Sequence, residues 1–168
     1  MFEIGEYVVY GNKGVCEVKD IGAINIPGMS QEKQYYTLLQ VFSRGSKIMT
    51  PVDSDKVVLR KVIDAKKAKK LLDKIDDLNP VWIQNDKERE QLFTEIIRSA
   101  DTEKLFEMMV ALAKRKERRI ADGKKATSTD ERFYHAAEDI LFGEMSISLD
   151  KSREEVKKLI REKMESLA

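Results

Sequence analysis

The sequence predicts an α+β fold, with a small β-barrel at residues 1–62 followed by a bundle of about five α-helices at residues 63–168. Up to about residue 60, short segments rich in Val, Ile, Tyr and Leu are bounded by Gly, Asn, Asp or Pro, a pattern typical of strands. Beyond Asp64, apolar residues recur with the 3.6-residue period of helices. Five short strands bury too little surface as an open sheet, so we expect a closed barrel of the SH3 or Tudor type.

Five strands are predicted in the N-terminal part, in the segments GEYVVYG, GVCEVKDI, QYYTLLQVF, SKIMTPV and KVVLR. Gly11 and Gly14 flank the first turn, because glycine supplies the positive φ that tight turns require. Gly28 after Pro27 marks a turn in the longer connection to the third strand.

Helices in the C-terminal part are predicted from apolar stripes and from residues that cap helix N-termini. Ser128 and Ser152 each precede a glutamate with capping-box spacing and open the fourth and fifth helices. Asp64 and Asp101 are candidate N-caps of the first and third helices. Gly123 is expected to end the third helix.

Trp82 is the only tryptophan and lies two residues after Pro80, just ahead of the second helix. Pro80 disfavours a helical conformation at Asn79, so the chain is expected to break between the first two helices. Two interpretations of Trp82 remain open. It is either a buried anchor of the corner between helices, as single tryptophans usually are, or a protruding wedge that meets a partner.

The net charge is only +1, but basic residues are concentrated in two stretches. Residues 114–125 hold seven basic and two acidic residues, and residues 60–70 hold six and one. Such runs are either solvated helix faces with paired charges or local sites of phosphate contact.

No constellation for catalysis, metal or cofactor binding is recognisable. His135 and Cys16 are each the only residue of their type, and phosphate-loop, dinucleotide-binding, zinc-protease and serine-hydrolase motifs are missing. We therefore expect no enzyme and no small-molecule substrate.

No apolar run approaches the length of a membrane span, the first residues do not form a signal peptide, and the lone cysteine fits a reducing cytoplasm.

Several segments together resemble the CarD/CdnL family of bacterial transcription regulators, and the start also resembles the polymerase-interacting module of transcription–repair coupling factors. The resemblance follows the chain in order and ends in the predicted fourth helix; it rests on FEIGEYVVY, GVCEV, QYY, IMTPV, Trp82 and ILFGEM. It implies that the barrel binds the β subunit of RNA polymerase. The helical part would then meet promoter DNA at the upstream edge of the −10 element, where the tryptophan wedges into the minor groove and stabilises the open complex.

The resemblance implies a cytoplasmic protein that is associated with the nucleoid through polymerase. An adaptor that binds polymerase or another protein without touching DNA is the alternative. The matched positions suggest DNA contacts by the wedge and by basic residues, namely Trp82, Lys87, Lys114, Arg115 and Arg132. Arg89, two residues beyond Lys87 on the same predicted helix, is a further candidate for phosphate contact. Relatives often have arginines directly after the tryptophan, whereas this chain has Ile83, Gln84 and Asn85. DNA contact is therefore expected to be weaker or shifted toward residues 114–125.

Polymerase contact is implied for Met49 and its neighbours Ile48 and Thr50, on the strand that faces polymerase in relatives. Relatives can carry an arginine at the position of Met49, so apolar packing and backbone pairing are expected to replace charge here. Ile24 and Ile26 are a second candidate patch, although ordinary barrel core explains either of them equally well. Residues 1–60 alone are expected to fold and to bind a fragment of the β subunit.

Overall fold

The computed structural model describes residues 1–24, 27–28 and 32–165. The N-terminal part contains strands β1 (Tyr7–Tyr10), β2 (Val15–Ala23), β3 (Gln34–Gln40), β4 (Lys47–Pro51) and β5 (Leu59–Lys61). Each matches a segment predicted from the sequence. A 3₁₀ turn at Gly11–Lys13 links β1 to β2, and Gly11 and Gly14 both have positive φ there, as the turn requires.

The described strands form one antiparallel sheet in the order β4-β3-β2-β1-β5. The sheet has the meander topology expected of a small barrel, in which β5 returns to pair with β1. β4 and β5 are the outermost strands of this order. The predicted α+β class, with a barrel-like β-domain before a helical bundle, is confirmed.

The helical part contains α1 (Ala65–Lys74), α2 (Asp86–Ser99), α3 (Thr102–Ala121), α4 (Ser128–Leu149) and α5 (Arg153–Glu165). Asp64, Asp101 and Ser152 cap their helices as predicted, through side-chain oxygens that accept backbone N–H bonds of 2.7–3.1 Å. The cap of α4 was predicted one residue too late. It is Thr127, because the Thr127 hydroxyl accepts the Asp130 N–H at 3.1 Å. Asp122 and Gly123, the latter with φ +76°, close α3.

The hydrophobic core is shared between the β-domain and the helices. Along β1, Val8 points into a small core inside the sheet, with Cys16, Val18 and Leu38. Val9 points the opposite way, into the larger core that the helices build. The predicted domain boundary after residue 62 falls at the junction of β5 and α1, where the two parts share this core.

A buried polar network also connects the two parts. The carboxylate of Glu144 on α4 is fully buried and accepts hydrogen bonds from the Arg60 guanidinium on β5 at 2.5 and 2.8 Å. It also accepts from the Thr102 hydroxyl at 2.7 Å and from the Ile63 N–H at 3.1 Å. Arg60 donates in addition to the Ala100 carbonyl at 2.6 Å. This Arg60–Glu144 network fixes β5 against the C-terminal end of α2, the start of α3 and the C-terminal half of α4.

A close contact next to the network joins the connection between β3 and β4 to α4. A methyl group built on Gly143 would approach the ring of Phe42 to 3.1 Å, so a larger residue at this position would push that ring away from α4 by a few tenths of an ångström. Gly143 and Glu144 both belong to the ILFGEM string. The string therefore has a structural task, which is to attach the helices to the β-domain.

Candidate nucleic-acid interface

The Trp82 segment, defined as residues 78–85, links a 3₁₀ turn at Ile75–Asp77 to α2 and has no regular secondary structure. The predicted break at Pro80 is thus present. Val81 is 89% exposed, whereas Trp82 is half-buried. The indole meets Phe93 edge-on with 6.2 Å between ring centroids, and Phe93 meets Phe133 in the same way at 5.5 Å. Trp82 is therefore neither sealed inside the bundle nor fully extended into solvent.

Two guanidinium groups lie over the indole ring. The central carbon of Arg89 is 4.5 Å from the ring centroid, and that of Arg115 is 5.4 Å away. Both distances fall within the range of cation–π attraction, which contributes about 0.5–2 kcal/mol per pair depending on exposure. Two guanidinium groups therefore lie next to the indole, and that of Arg89 is also paired with Asp86.

A small cleft opens beside Trp82, and we call it the basic cleft. Its charged side chains come from one face of α3 and are Lys114, Arg115 and Arg118. Asn79, Pro80 and Trp82 form the opposite wall. Lys114 donates to the Leu78 carbonyl at 3.5 Å, which ties α3 to the Trp82 segment, while Arg118 is exposed. The sequence indicated residues 114–125 as a basic run but did not single out Arg118.

The structure places the other predicted DNA contacts differently. Lys87 is exposed in the first turn of α2. Arg132 is exposed on α4, where its guanidinium lies over the ring of Phe133 at 5.4 Å, and it does not line the basic cleft. Both remain predicted phosphate contacts.

Arg89 is only 9% exposed. Its terminal nitrogens donate to the carbonyls of Ile83 at 2.9 Å and Gln84 at 3.4 Å, and to the Asp86 carboxylate at 2.7 Å. Its buried Nε has no acceptor among the described residues. A phosphate contact by Arg89 remains a prediction, and in this conformation it would require these bonds to break.

The residues predicted to face polymerase alternate along β4. Met49 is 43% exposed, whereas Ile48 packs against the small core and Thr50 is buried. This alternation follows from the two-residue period of a strand. Ile24 is buried, in keeping with the barrel-core interpretation, and Ile26 lies outside the described residues.

Outside this region, two ionisable side chains have a pKa that burial raises. Burial raises the pKa of the Cys16 thiol to about 11, so the thiol is protonated at neutral pH. Burial also raises the pKa of Tyr134, aided by the neighbouring Glu138 carboxylate and opposed by Arg161. His135 is exposed and lies 3.4 Å from the Glu138 carboxylate.

In residues 1–24, 27–28 and 32–165, no cluster of His, Cys, Asp or Glu fits a metal ion, and no helix is long and apolar enough to cross a membrane.

Comparison with known proteins identifies the β-domain. Residues 2–63 match the family model described as the CarD-like/TRCF RID domain, where RID denotes an RNA polymerase-interacting domain. No curated protein matches the chain. The matched range begins before β1 and ends after β5, so it contains the whole described sheet. Residues 2–63 therefore belong to the CarD-like/TRCF RID family, and the chain is a transcription-related protein that interacts with RNA polymerase.

Proposed function

We propose that this protein is a non-enzymatic regulator of transcription initiation that binds the β subunit of RNA polymerase and stabilises the promoter open complex. The β-domain supplies the contact with polymerase. The Trp82 segment and the basic cleft meet promoter DNA at the upstream edge of the −10 element, in the minor groove. The observation that carries this proposal is the half-buried indole of Trp82 beside the three cations of the basic cleft.

The chemistry of this surface suits distorted DNA. An aromatic ring inserted at a base step must offset an unstacking free energy of a few kcal/mol, which is smaller where the duplex is already opened. The cations of the basic cleft suit backbone phosphates, which position a protein on DNA without reading its sequence. A ring flanked by cations therefore combines stacking with phosphate contact at one place.

The low net charge of +1 is compatible with this role. Polymerase performs the opening, and binding to polymerase raises the effective concentration of the Trp82 segment near DNA. The protein therefore needs no strongly basic surface to find promoters by itself. This argument predicts weak DNA binding in the absence of polymerase.

On the β-domain, we propose that the outermost strand β4 forms the polymerase contact. An edge strand offers backbone N–H and C=O groups to a partner strand, and Met49 adds an exposed apolar side chain beside them. Ile48 and Thr50 support this strand from the core side. Their substitution is expected to affect folding before binding.

The alternative is an adaptor that binds polymerase but not DNA. The edge-on contact between Trp82 and the buried Phe93 favours it, because this contact is also what a structural anchor makes. The two proposals differ in what the basic cleft does. In the adaptor its cations are solvated, and their removal leaves promoter complexes unchanged.

Replacing Arg118 with glutamine tests the proposal, since this side chain is exposed in the basic cleft. The affinity for the polymerase–promoter complex is measured while the salt concentration rises. Loss of one phosphate contact reduces the slope of log affinity against log salt by about 1. Lys158→Gln, at an exposed position of α5, removes an equal charge and should leave the slope unchanged. Equal slopes for Arg118→Gln and wild type would favour the adaptor.

A further inference from the structure

We infer that Arg89 is a positioning residue that holds Trp82 in the orientation needed for its contact with DNA, rather than a ligand for phosphate. The inference deepens the proposed function and rests on it for its biological meaning. The structural part of the inference is that Arg89 orders the Trp82 segment, and this part applies to the protein in the absence of polymerase and DNA. Arg115 also lies over the indole and Lys114 binds the Leu78 carbonyl, but Arg89 donates to the two carbonyls that directly follow Trp82.

The contacts of Arg89 connect the helix to the segment that precedes it. From α2, one nitrogen donates to the carbonyls of Ile83 and Gln84, and another donates to Asp86. The guanidinium lies 4.5 Å from the centroid of the Trp82 ring. One side chain thus contacts both the backbone after the tryptophan and the face of its ring.

The Trp82 segment depends on such contacts because it lacks a backbone ladder of its own. It belongs to neither a helix nor a strand, and the exposed Val81 adds little packing. Asn85 caps α2 through the Glu88 N–H and so fixes only the end of the segment. The bonds from Arg89 to two consecutive carbonyls, together with the Phe93 contact, leave the indole few orientations.

Burial separates Arg89 from the cations that are available to phosphate. Arg89 is 9% exposed, whereas Lys87 and Arg118 are exposed. A planar guanidinium can stack on an aromatic ring while its edge donates hydrogen bonds, and lysine cannot reproduce both. The geometry therefore predicts that Arg89→Lys loses the ordering of the Trp82 segment almost as completely as Arg89→Met, although lysine keeps the positive charge.

The experiment compares Arg89→Lys, Arg89→Met and Arg98→Met with wild type. Arg98 is an exposed residue in the last turn of the same helix, so Arg98→Met is the matched control. Because Trp82 is the only tryptophan, acrylamide quenching and fluorescence anisotropy report on it alone. We expect both Arg89 variants to show about twofold stronger quenching and lower anisotropy, well below their melting temperatures. The control should match wild type.

The same variants are then tested on the polymerase–promoter complex. We expect Arg89→Lys and Arg89→Met to shorten the lifetime of the open complex to a similar extent, with an unchanged salt slope. A direct phosphate contact would instead give a nearly normal Arg89→Lys and a reduced slope for Arg89→Met. That pattern, or unaltered quenching in both variants, overturns the inference. Altered quenching without any effect of Trp82→Ala on the open complex would leave Arg89 as the residue that orders the segment and overturn only the proposed function.

Discussion

Replacing Arg60 with methionine is expected to lower the stability of the whole protein more than any surface change. The substitution leaves the fully buried Glu144 carboxylate without its guanidinium partner, and only Thr102 and Ile63 still donate to it. Removing one partner of a buried ion pair costs about 3–5 kcal/mol. For a chain of this size that corresponds to a melting temperature lower by about 10 °C. Calorimetry or circular dichroism measures the shift.

Two further variants make the Arg60→Met result specific. Glu95→Gln removes the i,i+3 ion pair with Arg98, in which both side chains are more than 70% exposed. Its melting temperature should equal that of wild type. The double variant Arg60→Met/Glu144→Met replaces the pair by apolar side chains and should recover much of the loss. If Arg60→Met melts like Glu95→Gln, the network does not hold the two parts together.

Replacing Trp82 with alanine is expected to shorten the lifetime of the promoter open complex about tenfold while leaving polymerase binding intact. Stacking of a base on an aromatic side chain contributes about 1–3 kcal/mol, and about 1.4 kcal/mol corresponds to one factor of ten. Trp82→Phe keeps an aromatic face and should retain most of the effect. Competitor-challenged complexes give the lifetimes, and circular dichroism confirms that each variant is folded.

Met49→Glu should show the opposite behaviour. It places a charge on the exposed face of β4, far along the chain from Trp82, and is expected to weaken binding to the β subunit. Once saturating protein restores binding, its open complexes should live as long as those of wild type. Polymerase binding is thus assigned to β4 and DNA contact to Trp82. This assignment is contradicted if Trp82→Ala unfolds the protein, or if Trp82→Ala weakens polymerase binding as Met49→Glu does.

Local structure followed closely from local sequence. Short segments rich in Val, Ile, Tyr and Leu and bounded by Gly, Asn, Asp or Pro predict all five described strands, and aspartate or serine before an apolar stripe predicts three of the helix caps. The one misplaced cap lies in a run of hydroxyl residues, where Thr127 and Ser128 are chemically almost equivalent. Only the backbone geometry distinguishes them, because it places the Thr127 hydroxyl within hydrogen-bond distance of the Asp130 N–H.

Contacts between distant segments were not predictable in this way. Arg60 and Glu144 are 84 residues apart, and neither lies in a pattern that indicates a partner. Tyr7-Val8-Val9-Tyr10 read as a strand, but its period does not show that Val8 and Val9 enter different cores. The residue type of Arg89 likewise indicated a positive charge but not where the side chain points. Its orientation depends on backbone carbonyls that the break at Pro80 exposes.

Site-specific photocrosslinking from position 81 tests the central claim most directly. Val81 is 89% exposed beside Trp82, so a photoreactive phenylalanine derivative fits there with little effect on folding. In polymerase–promoter complexes we expect crosslinks to promoter DNA at the upstream edge of the −10 element, and none to the same DNA without polymerase. The same derivative at position 158 on α5 serves as the control. Crosslinks from position 81 that reach only protein, in complexes shown to be open, would contradict the proposed contact with DNA.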